Sequence, residues 1–559
     1  MNPRFYKLSL LLSAAVLVVL VPVLISAARG TSGQLPTDNP SIASAASGTG
    51  SAPLTSSTSA ESDIQESAHR VNQVFADTWK KAGIEPIGPA DPMLVVRRLS
   101  LALCGTIPSL REIRDLETLP PDKQIDAHLD RLLGDRRFAD YLAERLARAF
   151  VGTQDGPFLI YRRRRFVYWL SDQLAENRPY DDLVREIISA EGLWTDRPAT
   201  NFITAFGTEQ GLQKVPLAAR TARAFLGLRI DCAECHDHPF AQWKQSDFEG
   251  LTAFFAPVEN SLVGIKDKGG EYKVEDRKTK EQREVKPAVA FDAEQLAADG
   301  RRREQLAQWV TTAEGTTDQG TRFYFGEAIA NRIWTLLFGR GIVEPVDDLE
   351  AEACIDGVLN VLADDFRSHG HDLRRLIRVI AATRAFRTAA ASDSEVTEQH
   401  ERLFAAFPLS RLRSEQIAGS LIQVQSLQTV DAESNVLVRF ARVVNTADFI
   451  NRYGDAGDGE LNAHVGTIPQ RLVMLNGKVP REHIEASPLK AAWHISKLAP
   501  TDQSAVRVAY LVTLTRPPTD DEQAYFVAAL RGRKGKQRDS GVEDMLWALI
   551  NSTEFSWNH

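Results

Sequence analysis

Apolar residues along most of the chain recur every three or four positions, with charged residues between them. One such series consists of Leu132, Phe138, Leu142, Leu146 and Phe150. This spacing places the apolar side chains on one face of a helix and the charged side chains on the other. The series therefore predicts an amphipathic helical region.

The same spacing predicts helices before and after the middle of the chain. They fall at residues 166–174, 183–188, 212–228, 325–337, 373–380, 414–424, 504–515 and 520–531. Pro179 and Gly339 mark breaks, because proline and glycine commonly stand next to helix ends. Few segments alternate apolar and polar residues as strands do. The predicted fold class is therefore mainly α, with two helical domains at residues 63–257 and 300–559.

The stretch between these domains has a different composition. Residues 266–286 are rich in Lys, Glu and Gly, with partial alternation through Tyr272 and Val274. This pattern predicts a small β-hairpin or an irregular polar insertion over residues 258–299.

The first residues of the chain indicate export. Arg4 and Lys7 precede an uncharged run at residues 8–28, which ends in small residues. These features are typical of a signal peptide, although 21 residues also suffice for a membrane anchor. Residues 29–62 are rich in Ser, Thr, Gly and Ala and predict a flexible linker. We therefore expect a periplasmic or cell-surface protein, with a possible membrane tether through residues 8–28.

Composition, charge and the absence of some motifs disfavour only a few classes of function. The 559 residues carry a formal net charge of -8, and no basic-aromatic pattern occurs, so we expect no nucleic-acid partner. The chain has four cysteines, too few for a fold that depends on disulfides. It also lacks a GxSxG motif, an HExxH motif and a phosphate-binding loop. A polymer-degrading hydrolase therefore has no catalytic motif in its favour.

Two of the four cysteines lie in a CxxCH motif formed by Cys232, Cys235 and His236. This motif is typical of covalent c-type haem attachment, in which the two thiols bond to the haem vinyl groups and the histidine binds iron. The sequence thus predicts one haem c, with Cys232, Cys235 and His236 as cofactor-binding residues and His236 as the metal ligand.

Three other interpretations of the motif remain open. Cys232 and Cys235 could bind zinc together with His236 or His238, although further ligands at suitable spacing are not evident. They could also form a dithiol redox pair, which usually lies on a βαβ unit rather than between helices. The third alternative is a short disulfide.

The sequence assigns no sixth iron ligand and no catalytic residue. The candidate ligands are Met93, Met474, Met545, His238, His371 and His464. The arginine run at residues 162–165 could pair with haem propionates or an acidic partner, but a solvated helix face is the favoured interpretation. The acidic pairs at 347–348 and 364–365 predict helix caps and surface charge.

Several short blocks of the chain resemble a large family of planctomycete proteins. The N-terminal blocks are at residues 97–101, 130–133, 178–181 and 225–229, followed by 232–240 with the CxxCH motif. They resemble the cytochrome-like domain-of-unknown-function family 1549. The C-terminal blocks resemble its usual companion, family 1553, and lie at 331–334, 338–341, 347–348, 475–477, 514–517 and 547–551. The chain departs from the pattern at Ala102, at Cys104 and in the charged insertion after Pro257.

The resemblance implies an exported, cytochrome-related protein but no particular reaction. We therefore expect a monohaem c-type protein that transfers electrons to or from an unknown redox or cell-surface partner, or supports a haem-linked redox step. The alternative is a non-haem cell-surface binding or scaffold protein, in which Cys232 and Cys235 form a disulfide or a metal clip. Whether the protein is an enzyme stays open.

Overall fold

The computed structural model describes residues 55–559, apart from residues 155–160, 238–241, 262, 276–279, 318–319, 392–394, 431–448, 451, 455–466 and 489. Helices dominate this part of the chain, and the prediction of a mainly α fold is confirmed. The first helix within the described residues, α1, begins at Thr55, so the last residues of the predicted linker are helical. The predicted signal or anchor at residues 1–28 lies outside the described residues.

The helices before the polar insertion include those that surround the CxxCH motif. They are α1 (Thr55–Ala82), α2 (Pro92–Cys104), α3 (Leu110–Glu117), α4 (Pro121–Gly134), α5 (Arg136–Val151), α6 (Arg163–Ala175), α7 (Tyr180–Ser189), α8 (Asn201–Thr204), α9 (Lys214–Thr221) and α10 (Gln245–Ala253). Short 3₁₀ turns lie at Pro198–Thr200, Asp231–Glu234 and Ala293–Gln295, and a π turn at Ala222–Leu226 continues α9.

The second half of the chain is also helical. It contains α11 (Arg302–Thr312), α12 (Tyr324–Phe338), α13 (Val358–Ser368), α14 (Leu373–Ala382), α15 (Arg384–Arg387), α16 (Glu398–Arg402), α17 (Ser414–Val424), α18 (Ile468–Asn476), α19 (Lys478–Ile484), α20 (Ala491–Leu498), α21 (Asp502–Leu514), α22 (Asp520–Leu530), α23 (Lys536–Ile550) and α24 (Thr553–Ser556).

The strands in the described residues form five separate antiparallel pairs. They are β1 (Gly207–Thr208) with β2 (Gly211–Leu212), β3 (Val258–Ser261) with β4 (Gly264–Asp267), β5 (Tyr272–Glu275) with β6 (Gln282–Val285), β7 (Gly315–Thr317) with β8 (Gly320–Arg322), and β9 (Ser410–Arg411) with β10 (Trp557–Asn558). The predicted insertion therefore contains two hairpins, β3–β4 and β5–β6, where the sequence predicted one.

Local sequence explains several helix ends. Asp91 caps α2 by accepting a hydrogen bond from the backbone N–H of Met93 at 2.8 Å. Gly105 and Gly339 end α2 and α12 with φ values of 65° and 76°. Glycine adopts this left-handed conformation without the steric cost that other residues incur.

Two hydrophobic cores hold the helices together. The larger core includes side chains from Val71 to Phe407, so both predicted domains contribute to it. The smaller core is formed by helices from α17 onwards together with Leu101 and Ile107. The exact division into two domains stays a prediction, but the hydrophobic core is continuous between the predicted segments.

No helix in the described part of the chain is both long enough and apolar enough to cross a bilayer.

Candidate functional site

The CxxCH motif lies on a short surface turn. Its first residues belong to the 3₁₀ turn Asp231–Glu234, which follows the π turn and precedes α10. Ala233 is fully buried beneath this turn, and Ile230 is 7% exposed. Cys232, Cys235 and His236 are all exposed. The small apolar residue thus anchors the turn in the core, while the three predicted cofactor-binding residues are exposed.

The segment before the motif is held against α12. The sequence predicted one helix over residues 212–228, but α9 begins at Lys214 and gives way to the π turn at Ala222. Gly227 ends this turn with φ of 63°, and a Cβ atom there would lie 2.8 Å from Cγ of Leu349. The backbone N–H of Leu349 donates to the Gly227 carbonyl at 2.7 Å. This position therefore requires glycine both for its conformation and for the close contact.

Charged side chains tie the motif to the loop after α12. Arg229 donates through Nη2 and Nε to Oδ1 of Asp347, at 2.6 and 3.0 Å. Arg223 pairs with Asp231, the residue before Cys232, and its Nη1 lies 4.0 Å from Oδ2 of Asp347. The hydrogen bond to Asp347 raises the pKa of Arg229 in spite of partial burial. The four residues form an alternating cluster of charges next to the motif.

His236 has a defined hydrogen bond on one ring nitrogen. Its Nδ1 lies 2.7 Å from the backbone carbonyl oxygen of Asp237. Because a carbonyl oxygen only accepts hydrogen bonds, Nδ1 must carry the proton. In this tautomer Nε2 has the free lone pair. Metal-binding histidines commonly have this arrangement, with one nitrogen donating to a carbonyl and the other available to the metal.

A small apolar cavity lies next to the turn. It has a volume of about 20 Å³ and is lined mainly by aromatic and aliphatic side chains, including Leu226, Ile230, Trp243, Phe291 and Trp309. This volume corresponds to about one water molecule. The described residues beside the motif therefore do not enclose a haem, and a haem attached here would lie against the surface.

The donor set nevertheless fits c-type attachment. Two exposed thiols and an exposed imidazole are the groups that this attachment uses. Two guanidinium groups, of Arg223 and Arg229, lie near the motif, and Nε of Arg223 is a buried donor that has no hydrogen-bond acceptor among the described residues. Cationic groups of this kind suit the carboxylates of a haem.

Two comparisons with known families identify the chain. Residues 70–260 match the family model described as "Protein of unknown function (DUF1549)", and residues 302–447 match the model described as "Protein of unknown function (DUF1553)". Residues 70–260 therefore belong to the first family and residues 302–447 to the second. We refer to the matched segments as the DUF1549 region and the DUF1553 region. The search of curated proteins and the search of solved structures each found no match.

The two family matches agree with the N-terminal and C-terminal resemblances found in the sequence. The DUF1549 region contains the CxxCH motif, and the DUF1553 region contains Arg332 and Asp347. Arg332 donates to the carbonyl of Ala224 in the π turn at 3.0 Å. Residues from the DUF1553 region thus hold the segment that presents the motif in the DUF1549 region.

A zinc site formed by the described residues alone has little support. They contain no group of three or more His, Cys, Asp and Glu side chains placed to hold one metal ion. Haem attachment requires fewer protein ligands to the metal than a zinc site does. Only His236 must reach the iron, because the two thiols bond to the edge of the ring. His238, the other zinc candidate, lies outside the described residues.

The candidates for a sixth iron ligand that lie within the described residues are in parts of the fold other than the CxxCH turn. Met474 and Met545 are buried in the smaller core. Nδ1 of His371 lies 3.2 Å from Oδ1 of Asp181, and Met93 lies in the first turn of α2. His464, like His238, falls outside the described residues. Their assignment therefore stays open.

Two other predictions from charge patterns need correction. Within the arginine run at residues 162–165, Arg163 is buried and pairs with Glu144 at 2.9 Å, so only part of the run is a solvated helix face. Asp365 is 2% exposed and accepts hydrogen bonds from Ser67 and Arg375 at 2.6 and 3.0 Å. It belongs to a buried polar network that joins α1, α13 and α14, and does not form surface charge.

The sequence did not identify Arg229 and Asp347 as partners. Both residues lie in blocks that carry the family resemblance, which was the available signal. Because 118 positions separate them, no local pattern could pair them.

Proposed function

We propose that this protein is an exported, c-type cytochrome-like protein that carries one covalent haem on Cys232, Cys235 and His236. Its role in this proposal is electron transfer, or support of a redox step, with a redox or cell-surface protein partner. When bound, the haem would supply an iron centre that cycles between two oxidation states.

The hydrogen bond from Nδ1 of His236 to the Asp237 carbonyl carries the proposal. It fixes the tautomer and leaves Nε2, an iron-binding nitrogen, available on an exposed turn. Cys232 and Cys235 flank the buried Ala233 and are exposed on the same turn. In thioether formation each thiol adds across one vinyl double bond: sulfur bonds to one carbon, the proton goes to the other, and nothing leaves.

The exposure of the motif also suits electron exchange with another protein. A haem held on a surface turn would leave an edge accessible to a partner without any opening of the fold. Electron-transfer complexes commonly use small interfaces, below about 1,200 Å².

The test is expression of the full chain together with a haem-attachment system. We expect a haem absorbance band and a mass increase of one haem, both of which persist after denaturation because thioether bonds do not depend on the fold. Cys232→Ser and Cys235→Ser should each leave at most one thioether, and the double variant none. Cys354→Ser is the matched control and should retain full haem content, because this cysteine lies outside the motif.

His236→Ala tests the iron ligand separately from attachment. We expect thioether formation to survive to some extent, while the absorbance spectrum changes because iron loses its nitrogen ligand. Colourless protein without added mass, obtained in cells that load a control cytochrome, would overturn the proposal.

A second function has one observation in its favour. The cavity that the described residues form beside the motif, of about 20 Å³, is too small to enclose a haem. A non-haem binding or scaffold protein, with Cys232 and Cys235 joined in a disulfide or holding a metal clip, needs no such space. A disulfide predicts a mass gain of about two daltons on reduction, whereas a metal clip predicts loss of metal and of stability with a chelator.

The proposal also requires export, because haem attachment of this type occurs outside the bacterial cytoplasm. A reporter fused after residue 60 should be active only outside the cytoplasm, owing to Arg4, Lys7 and the apolar run at residues 8–28. Activity of the fusion inside the cytoplasm would contradict export, and N-terminal sequencing would distinguish cleavage from anchoring.

A further inference from the structure

We infer that Asp347, in the DUF1553 region, is a positioning residue for the CxxCH turn in the DUF1549 region. The inference rests on the proposed function for its consequence in the haem-loaded protein. Its structural part concerns the turn itself and can be tested without haem.

The contacts of Asp347 lead to two residues that directly precede the motif's first cysteine. Oδ1 accepts two hydrogen bonds from Arg229, which lies three residues before Cys232. Oδ2 lies 4.0 Å from Arg223, which in turn pairs with Asp231, the immediate neighbour of Cys232. One carboxylate therefore fixes two arginines, and through them both the start of the motif segment and the residue before its first thiol.

The three side chains of this cluster differ in how deeply they are buried, and this difference indicates which of them is held most firmly. The Asp347 side chain is 16% exposed, whereas those of Arg223 and Arg229 are 37% and 38% exposed. The carboxylate is thus the fixed member of the cluster, and the more exposed arginines are held by it. Losing the carboxylate would leave both arginines without their common partner.

Asp347 also has a firm support of its own. Asn331 of α12 donates to the carbonyls of Val343 and Val346 at 2.9 and 3.4 Å, just before Asp347. The hydrogen bond between Leu349 and Gly227 follows two residues later. The loop that carries Asp347 is therefore fixed on both sides, as a positioning residue requires.

The 3₁₀ turn that contains the first cysteine is short. It is four residues long, and Ala233 donates to the Ile230 carbonyl at 2.9 Å. Short 3₁₀ turns have poorer hydrogen-bond geometry than α-helices. Contacts from outside the turn, including those through Asp347, must therefore determine how its two thiols are presented.

The test compares Asp347→Asn with Asp348→Asn. The two substitutions remove the same charge from neighbouring positions, but of the two carboxylates only Asp347 has a described ion pair with Arg229. In unloaded full-length protein, the rates of alkylation of Cys232 and Cys235 are followed by mass spectrometry of the peptides. Cys104 is buried, and burial raises the pKa of Cys354 to about 12, so neither should react comparably.

We expect Asp347→Asn to raise the alkylation rate of Cys232 by about threefold or more, which corresponds to about 0.7 kcal/mol, the range of a partly exposed ion pair. Asp348→Asn should leave the rate within about 1.5-fold, because it removes charge but no contact. Arg229→Gln should reproduce the effect of Asp347→Asn, and the double variant should add little to either. Equal rates in Asp347→Asn and the unaltered protein, at equal thermal stability, would overturn the inference.

The haem-loaded protein gives a second readout. Asp347→Asn should lower the yield of doubly attached haem or shift the midpoint potential, relative to Asp348→Asn. If no variant and no unaltered protein takes up haem, the proposed function fails, while the alkylation comparison still decides whether Asp347 positions the turn.

Discussion

The guanidinium carbon of Arg98 lies 3.6 Å from the ring centre of Phe407, and both side chains are fully buried. Nη1 of Arg98 donates to the carbonyls of Phe386 and Thr388, at 2.9 and 2.8 Å, and Nε donates to the carbonyl of His559 at 2.7 Å. Burial lowers the pKa of this arginine to about 9. The guanidinium group of Arg98 on α2 thus donates hydrogen bonds to backbone carbonyls that lie more than 280 positions later in the chain.

Arg98→Met should destabilise the fold by about 3 kcal/mol. Two buried carbonyls and one partly buried carbonyl lose a donor, at roughly 1–3 kcal/mol each, and relief from burying a charge offsets part of this loss. The free energy of unfolding from urea titration is the measurement. Arg114→Met is the control, because Arg114 is about half exposed and its ion pair among the described residues is with Glu117, so the change should stay within about 0.5 kcal/mol. Equal results for the two variants would mean that desolvation cancels the hydrogen bonds of Arg98.

Sequence periodicity predicted helices well where one face packs against the core. Phe325, Ile329, Ile333 and Leu337 predicted α12, and all four are fully buried in it. Residues 212–228 also follow helical spacing, but there the chain forms a strand, α9 and a π turn. The difference arises from tertiary contacts, since Leu349 and Ala328 pack against Gly227 and the turn must accommodate them.

The sequence predicted which residues form the candidate site, but it did not predict the contacts that hold them in place. The order of Cys232, Cys235 and His236 is local information that the sequence displays directly. Their exposure depends on the burial of Ala233, and their orientation depends on Asp347, which is distant in sequence. Ion pairs between residues that are distant in sequence leave no periodic pattern. The contacts around the motif therefore became evident only from the structure.

Limited proteolysis should distinguish the two hairpins of the insertion. In β3–β4, Ile265 is fully buried and pairs with Gly192, and Asp267 accepts a hydrogen bond from the buried Arg303 at 2.9 Å. In β5–β6 the side chains are mostly exposed, apart from Val285. Backbone with few buried contacts opens more readily.

We therefore expect trypsin to cut first within residues 272–286, while residues 258–267 and the flanking helices stay intact. The fragments are identified by mass spectrometry at early times. Initial cleavage at Lys266 would show that β3–β4 opens as easily as β5–β6, and initial cleavage within α10 or α11 would contradict the expected order of opening.

His128 has a buried position that makes it sensitive to pH. It is fully buried on α4, and its Nε2 lies 2.7 Å from Oγ of Ser100 on α2. Burial lowers its pKa to about 4, although the nearby Glu112 carboxylate acts in the opposite direction and Arg131 and Arg137 add to the lowering. The imidazole is therefore neutral in the folded protein at pH 6, whereas in the unfolded chain it titrates near 6.5.

Stability should consequently fall as pH decreases from about 6.5 to 4, because in this window the unfolded chain binds a proton that the folded protein does not. The lowering from 6.5 to about 4 corresponds to a loss of about 3 kcal/mol from His128 by pH 4. Below pH 4 both states are protonated, and this contribution no longer changes.

His128→Gln should lose this dependence, while His69→Gln, at an exposed position, should keep it. Urea titrations at pH 7, 6, 5 and 4.5 provide the comparison. Parallel pH profiles for His128→Gln and the unaltered protein would show that His128 is not the group responsible. Glu415 and Glu522, whose pKa values are lowered to about 2, lose their contributions mainly below about pH 4.5 and therefore hardly affect the comparison between pH 7 and 5.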